Sequence, residues 1–172
     1  MIVAGAVGPT ETRLALCGLD AGRPIVVTEE TAPNSAAPSL AQMVHRFLRK
    51  FRPPQVRSAA FAVGGLPQGV EADAPWMAAA PALAAELSMD RITVMSDAEG
   101  MAHALAGLLP EDLAPLNGDE STESGNQAVL AIGTSPSVAG LYWNGTEHRC
   151  FASEGGSADF APRNEEEAKL GL

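Results

Sequence analysis

Two groups of residues in this 172-residue chain have types and neighbours that suggest chemistry. The first is a carboxylate beside paired glycines. Ser153–Leu172 reads SEGGSADFAPRNEEEAKLGL, with Glu154 directly before Gly155 and Gly156. Glycines lose conformational entropy on folding and bring no side chain to a core, so a pair marks backbone that bends tightly or comes close to a ligand. Taken alone, the stretch reads as a turn between a strand and a helix. The second group is sulfur and imidazole. Cys17 and Cys150 lie far apart in strand-like contexts, LALCGL and HRCFAS, and His45, His103 and His148 show no ligand spacing. Buried reduced thiols are expected, and a protein metal site is not.

Composition narrows the function classes. A net charge of −10 argues against binding a nucleic-acid backbone or an anionic membrane. The basic run His45–Arg57 fits the solvated face and positively charged C-terminal end of a helix. Hydrophobic residues are 46% of the chain but aromatics only 5%, so the core must be built from Leu, Val, Ile, Met and Ala. The N-terminal run has no basic region before it, and MAAAPALAAELSM is broken by Pro81 and Glu86. Neither a signal peptide nor a membrane span is expected, and a cytoplasmic soluble protein is.

The elements that must position these residues follow from periodicity and punctuation. Met1–Val7, Thr12–Leu19 and Pro24–Glu30 read as strands joined by short turns, an antiparallel meander. Ser39 caps a helix in which Leu40, Met43, Val44, Phe47 and Leu48 keep the 3.6 period, ended by Pro53–Pro54. Ser58–Val63 is a buried strand, and Pro75–Ser88 an alanine-rich helix interrupted by Pro81. Arg91–Met95 is a strand and Ser96–Leu109 a helix. After the polar stretch Pro110–Asn126 come strands at Ala128–Ile132, Ser137–Trp143 and His148–Phe151, with Asn144–Gly145–Thr146 as a hairpin turn. This order predicts an α/β fold: a ribonuclease-H-like (actin-like ATPase) domain over 1–110, a linker or exposed loop over 111–126, and the incomplete start of a second α/β domain over 127–172.

Five stretches, in order and spacing, resemble the bacterial glucokinase family of the sugar kinase and actin superfamily. GAVGPTETRLAL at Gly5–Leu16 is similar to the family's G-D-x-G-G-T-N-x-R-L-A-L. ADAPW at Ala72–Trp76 stands for its N-H-x-W, and VMSDAEGMAHAL at Val94–Leu105 for its strand leading to N-D. AIGTSPSVAGL at Ala131–Leu141 stands for G-x-G-T-G-L-G, and EGGSADFAPRNEEEA for E-G-G-H-x-D-F-A-P with its glutamates. The resemblance covers essentially every residue here, but only the N-terminal half of a full-length glucokinase. It implies ATP:hexose 6-phosphotransfer, with ATP and Mg²⁺ as cofactors. By the same resemblance, Asp97 is the catalytic base that takes the proton of the sugar 6-hydroxyl. Asp73, Ser96, Asp97, Glu154, Gly155 and Ser157 fall at sugar-binding positions, and Gly8, Thr10, Gly133 and Thr134 at nucleotide-binding ones. Read from the residues alone, Asp97 is more simply the N-cap, a place Ser96 could also fill, or a first-turn carboxylate of the helix that follows it.

The departures from the family pattern have a physical reading. Ala6 stands for the family's Mg²⁺-assisting Asp, Pro9 for a turn glycine, and Glu11 for Asn. Asp73–Ala74 stand for Asn-His, Ser96 for Asn, and Ser157 for His. Pro136 is inserted in the second glycine turn, where Ala131, Ser135 and Ser137 replace glycines. Phosphoryl transfer depends on positioning and charge neutralisation. Pro9 and Pro136 each remove a backbone donor, and Glu11 adds negative charge beside an expected anion, worth about 1 kcal/mol at 4 Å in water and more when desolvated. Three function classes stay open: a hexose kinase, a non-catalytic sugar-binding or interaction module on a degenerate kinase scaffold, and a fragment that needs a partner chain. The expectation is glucokinase family by descent, with catalysis by this chain alone impaired or absent. Weak hexose binding is expected, together with a homo-oligomer or partner chain contacting 127–172.

Overall fold

The computed structural model describes residues 1–21, 23–64, 79–105, 107–116, 125–132, 136–159 and 161–169. Strands β1 (Ile2–Val7), β2 (Glu11–Asp20) and β3 (Arg23–Pro33) form the antiparallel meander the sequence predicts. Strands β4 (Ser58–Val63) and β5 (Arg91–Ser96) extend the sheet, β4 pairing parallel to β1 and β5 parallel to β4. The order is β3-β2-β1-β4-β5. Alternation decides the faces: Val3 and Val7, Leu14 and Leu16, and Ala59, Phe61 and Val63 all point to one buried side. Phe61 lies across β1 at Gly5, where a Cβ would come within 2.5 Å of the ring.

Helix α1 (Leu40–Phe51) covers that face with Leu40, Ala41, Met43, Val44 and Phe47. Fully burying one such large side chain stabilises by about 1.5–3 kcal/mol. Ser39 caps α1 by accepting from the Gln42 amide, and Arg52 ends it at φ 44°, just before Pro53. Helix α2 (Ala80–Leu87) buries Leu83 and Leu87. Pro81 does not interrupt it, contrary to expectation. It sits in the first turn, where a missing N–H leaves no bond unmade. Residues 75–78 of that expected helix lie outside the described residues.

Helix α3 (Asp97–Leu105) stops four residues short of the expected end at Leu109. Gly107 then turns the chain, its amide donating to the Ala104 carbonyl, and Pro110–Asp112 make a single 3₁₀ turn. Strands β6 (Gln127–Ala131), β7 (Ser137–Trp143) and β8 (His148–Ser153) form a separate antiparallel sheet. At the β7–β8 hairpin, the Asn144 side chain accepts from the Thr146 and Glu147 amides and Gly145 takes φ 96°, the turn chemistry its sequence predicts.

Helix α3 is the wedge between the sheets. Its Gly100 rests on Ala62 of β4, where a Cβ would lie 2.7 Å from the alanine methyl. Its Ala98 and Ala102 pack against Ala139 and Leu141 of β7. Small residues on both sides let one helix touch two sheets. The chain ends in helix α4 (Glu165–Ala168), capped by Asn164 and with three glutamates in its first turn, where the helix dipole favours them.

Candidate functional site

The carboxyl ends of parallel strands are where α/β sheets bind ligands, and three such ends meet here. Gly8 follows β1, Gly64 follows β4, and Asp97 follows β5. The Gly64 amide donates to the Val7 carbonyl at 2.9 Å, tying two of the ends together. From the third end, the Asp97 carboxylate turns toward the second: its Oδ2 is 3.7 Å from where a Cβ on Gly64 would stand. Asp97 is not the helix cap. Ser96 is, with the Glu99 amide donating to its Oγ at 3.2 Å while the Ser96 amide and hydroxyl both donate to Glu99 Oε2 at 3.0 Å. This reciprocal capping box satisfies the start of α3. Asp97 accepts one short bond from the Ala98 amide through Oδ1, and Oδ2 is turned toward Gly64.

The turn between β1 and β2 holds Gly8 and Thr10. The Gly8 amide donates inward to the Glu11 carbonyl at 2.9 Å, and Pro9 has no amide hydrogen. Both turn carbonyls are held from outside the turn by Asn34. Its side-chain amide donates to Gly8 O at 3.0 Å and its backbone amide to Thr10 O at 2.8 Å. The Thr12 hydroxyl in turn donates to Asn34 Oδ1 at 2.8 Å. Thr12 is the one fully buried polar residue among the described residues. Asn34 carries no motif signal. The only hint is its setting between Pro33 and Ser35, a turn-forming run ahead of a capped helix. Ala6, one strand residue before the turn, is exposed and offers only a methyl group.

The third element is the 3₁₀ turn Glu154–Ser157 that leaves β8. Ser153 Oγ accepts from the Gly155 amide at 3.1 Å, and Glu154, Gly155 and Ser157 are exposed. Gly156 packs on the backbone at the start of β7. A Cβ there would strike the Pro136 carbonyl oxygen and lie 2.8 Å from its carbon and 3.0 Å from Ser137 Cα. The close approach that this glycine permits is therefore chain against chain.

The sequence-predicted residues thus fall into two groups. Gly8, Thr10, Ser96 and Asp97 gather at the carboxyl end of the five-stranded sheet, and Glu154, Gly155 and Ser157 at the exit of the three-stranded one. Helix α3 links the groups, because Gly100 rests on β4 while Ala98 and Ala102 pack with Ala139 and Leu141 of β7 and Cys150 of β8. Asp73, Gly133 and Thr134 lie outside the described residues. Burial pushes the Cys17 thiol above the usual range, and burial with the Glu99 charge does the same to Cys150, so both stay protonated and unreactive near neutral pH. Among the described residues no three His, Cys, Asp or Glu side chains cluster to hold a metal ion, and no helix is long and apolar enough to cross a membrane.

Comparison with known proteins bears on the family and the fold. A family model described as Glucokinase matches residues 3–171. A glucokinase of Nostoc sp. is 31% identical over 99% of this chain and 51% of its own length. One from Zymomonas mobilis is 31% identical over 98% of this chain and 54% of its own length. Among solved structures, glucokinase from an Antarctic psychrotroph superposes at TM-score 0.81 and 23% identity, covering 98% of this chain and 54% of that one. Glucokinase from Balamuthia mandrillaris in complex with glucose superposes at 0.68 and 18% identity, covering 98% and 52%. The fold is that of the sugar kinases and actin-like ATPases. The chain spans about half the length of the curated relatives it matches.

Proposed function

Because the chain belongs to the glucokinase family, we propose that it is a hexose-binding half-site descended from an ATP:hexose 6-phosphotransferase, with phosphoryl transfer by this chain alone impaired or absent. In this reading Asp97 is the retained catalytic base. Glu154 accepts hydrogen bonds from sugar hydroxyls, and Ser96, Gly155, Ser157 and Asp73 are the other sugar-binding positions that the resemblance implies. Residues 1–110 make the first domain, 111–126 a connecting loop, and 127–172 the beginning of a second, a division supported by the two separate sheets.

One observation carries the impaired half of the reading: two backbone positions of the β1–β2 turn, Gly8 and Pro9, have no amide to offer a phosphate. Kinases of this family use ATP and Mg²⁺. The described residues of this turn do not fit a triphosphate with its metal ion. The Gly8 amide is engaged by Glu11, Pro9 has none, Glu11 brings a like charge, and Ala6 has no carboxylate for the metal. Gly133 and Thr134, the other nucleotide positions, remain expectations of the resemblance.

A second reading, a non-catalytic sugar-binding or interaction module, is favoured by one surface. The face of the β6–β8 sheet turned away from α3 exposes Leu130, Tyr142 and Phe151, each more than half accessible. A homo-oligomer or partner chain contacting 127–172 is proposed on that ground.

Titration calorimetry with glucose, with MgATP and with both, beside a coupled phosphorylation assay, tests the proposal. Weak glucose binding, about −4 kcal/mol or less favourable, is expected without turnover. Turnover that Asp97→Asn abolishes would make this chain a working kinase and overturn the impaired reading. Tight hexose binding indifferent to both Asp97→Ala and Glu154→Ala would put the ligand elsewhere.

A further inference from the structure

We propose that the packing of Gly156 on the Pro136–Ser137 backbone is a joint that positions Glu154, making Gly156 and Pro136 positioning residues of the 154–157 turn. The proposal rests on the reading of Glu154 as a hexose ligand.

The register puts the two segments side by side. Val138 of β7 pairs with Ser153 of β8, so the chain leaving β8 at Glu154 runs past the chain entering β7 at Pro136 and Ser137. All three atoms that crowd a Cβ on Gly156 are backbone: the Pro136 carbonyl oxygen and carbon, and Ser137 Cα. None can swing aside as a side-chain tip would. A methyl group at 156 therefore requires one of the two backbones to move.

Gly155 behaves differently, although sequence alone does not tell the two glycines apart. A Cβ on Gly155 would meet Ser153 Oγ at 3.2 Å and Val138 side-chain carbons at 3.9 Å, side-chain atoms rather than backbone. Torsion does not explain the need at 156, because Gly145 is the glycine with positive φ among the described residues. The requirement is space.

The turn is thus pinned on both sides of Glu154. At its entry, Ser153 Oγ accepts from the Gly155 amide at 3.1 Å. At its middle, Gly156 seats on Pro136, whose ring fixes φ near −65° and stiffens the segment it heads. A carboxylate held this way needs little further ordering to meet a hydroxyl pair, which is what preorganisation contributes to binding. Pro136 replaces the flexibility of a glycine turn with a fixed seat.

The test is a ¹⁵N–¹H NMR titration of the full chain with glucose, run on the parent, Gly155→Ala, Gly156→Ala, and Gly156→Ala combined with Pro136→Gly. Gly155→Ala is expected to keep the Ser137 and Val138 amide resonances in place. Gly156→Ala is expected to move the Ser137, Val138 and Glu154 amides and weaken glucose roughly ten-fold, the scale of one charge-assisted hydrogen bond. The double variant, with a glycine at 136 able to yield, is expected to regain much of the affinity. The joint is overturned if Gly156→Ala leaves those amides in place, if it moves them without weakening glucose, if Gly155→Ala moves the Ser137 and Val138 amides as far, or if the double variant is no better than the single. Should Gly156→Ala fail to fold, a folded, glucose-responsive double variant supports the joint and an unfolded one overturns it. A parent chain with no glucose response overturns the hexose reading, and the amide shifts alone then decide the joint.

Discussion

Two turns at the candidate site differ in what they present to a ligand. The β1–β2 turn is closed: its carbonyls are tied to Asn34, its first amide to Glu11, and Pro9 supplies no hydrogen. The 154–157 turn keeps its carboxylate at the surface and its glycine seat on Pro136. The first kind of site depends on backbone N–H groups aimed at an anion, so one proline and one internal hydrogen bond take two donors from it. The second depends on a side-chain carboxylate, which survives as long as the backbone beneath it holds still. A site of the second kind can outlast one of the first in the same chain.

The sharpest way to break this contrast is at Asn34. Asn34→Ala leaves the Thr12 hydroxyl buried without its acceptor and releases the Gly8 carbonyl. A loss of about 2 kcal/mol in urea unfolding is expected, since an unsatisfied buried polar group costs about 1–3 kcal/mol. Adding Thr12→Val should recover part of it, because no buried hydroxyl then remains. If the single variant is as stable as the parent, Asn34 does not hold the turn. Nucleotide binding should not return in either variant, because Pro9 still lacks an amide hydrogen.

The next effect concerns the carboxylates. Asp97→Ala and Glu154→Ala should each weaken glucose at least roughly ten-fold, while Ala6→Asp should leave phosphorylation at background. Titration and a coupled assay measure both. Turnover restored by Ala6→Asp alone would mean that the closed β1–β2 turn is no obstacle. A smaller effect belongs to the exposed face of the β6–β8 sheet. Phe151→Ser with Tyr142→Ser should shift sedimentation toward the monomer with little change in melting temperature, because both side chains are more than half exposed. A parent chain that is monomeric at every concentration removes the oligomer proposal.

Much of this fold was legible in the sequence because local patterns set it. Ser39, the 3.6 period and Pro53 bracket α1, and alternation marks Ala59, Phe61 and Val63 as inward-facing residues of β4. What was not legible is tertiary. The bonds of Asn34 to Gly8 and Thr12 join residues more than twenty positions apart and leave no period to read. The boundary residues also yielded to context. Pro81 breaks a helix interior but not a first turn, and Ser96–Glu99 takes the capping role that Asp97 could have filled. For the candidate site, the carboxylates are named by motif alone. The difference between Gly155 and Gly156 appears only when β7 and β8 are laid side by side.

The smallest expected effect sharpens the comparison from the other turn. Ser153→Ala removes the hydroxyl that caps the 154–157 turn by accepting from the Gly155 amide at 3.1 Å. That amide lies at an exposed residue, so water can replace the lost acceptor, unlike the buried Thr12 hydroxyl. A change of about 0.5 kcal/mol is expected in urea unfolding, at the low end for loss of a capping side chain. The contrast with Asn34→Ala is then between a latch sealed from solvent and a cap open to it. Glucose affinity should fall only slightly, since Gly156 still seats the turn on Pro136. If Ser153→Ala destabilises the chain as much as Asn34→Ala, the 154–157 turn is not the solvent-supported element described here, and the difference between the two turns disappears.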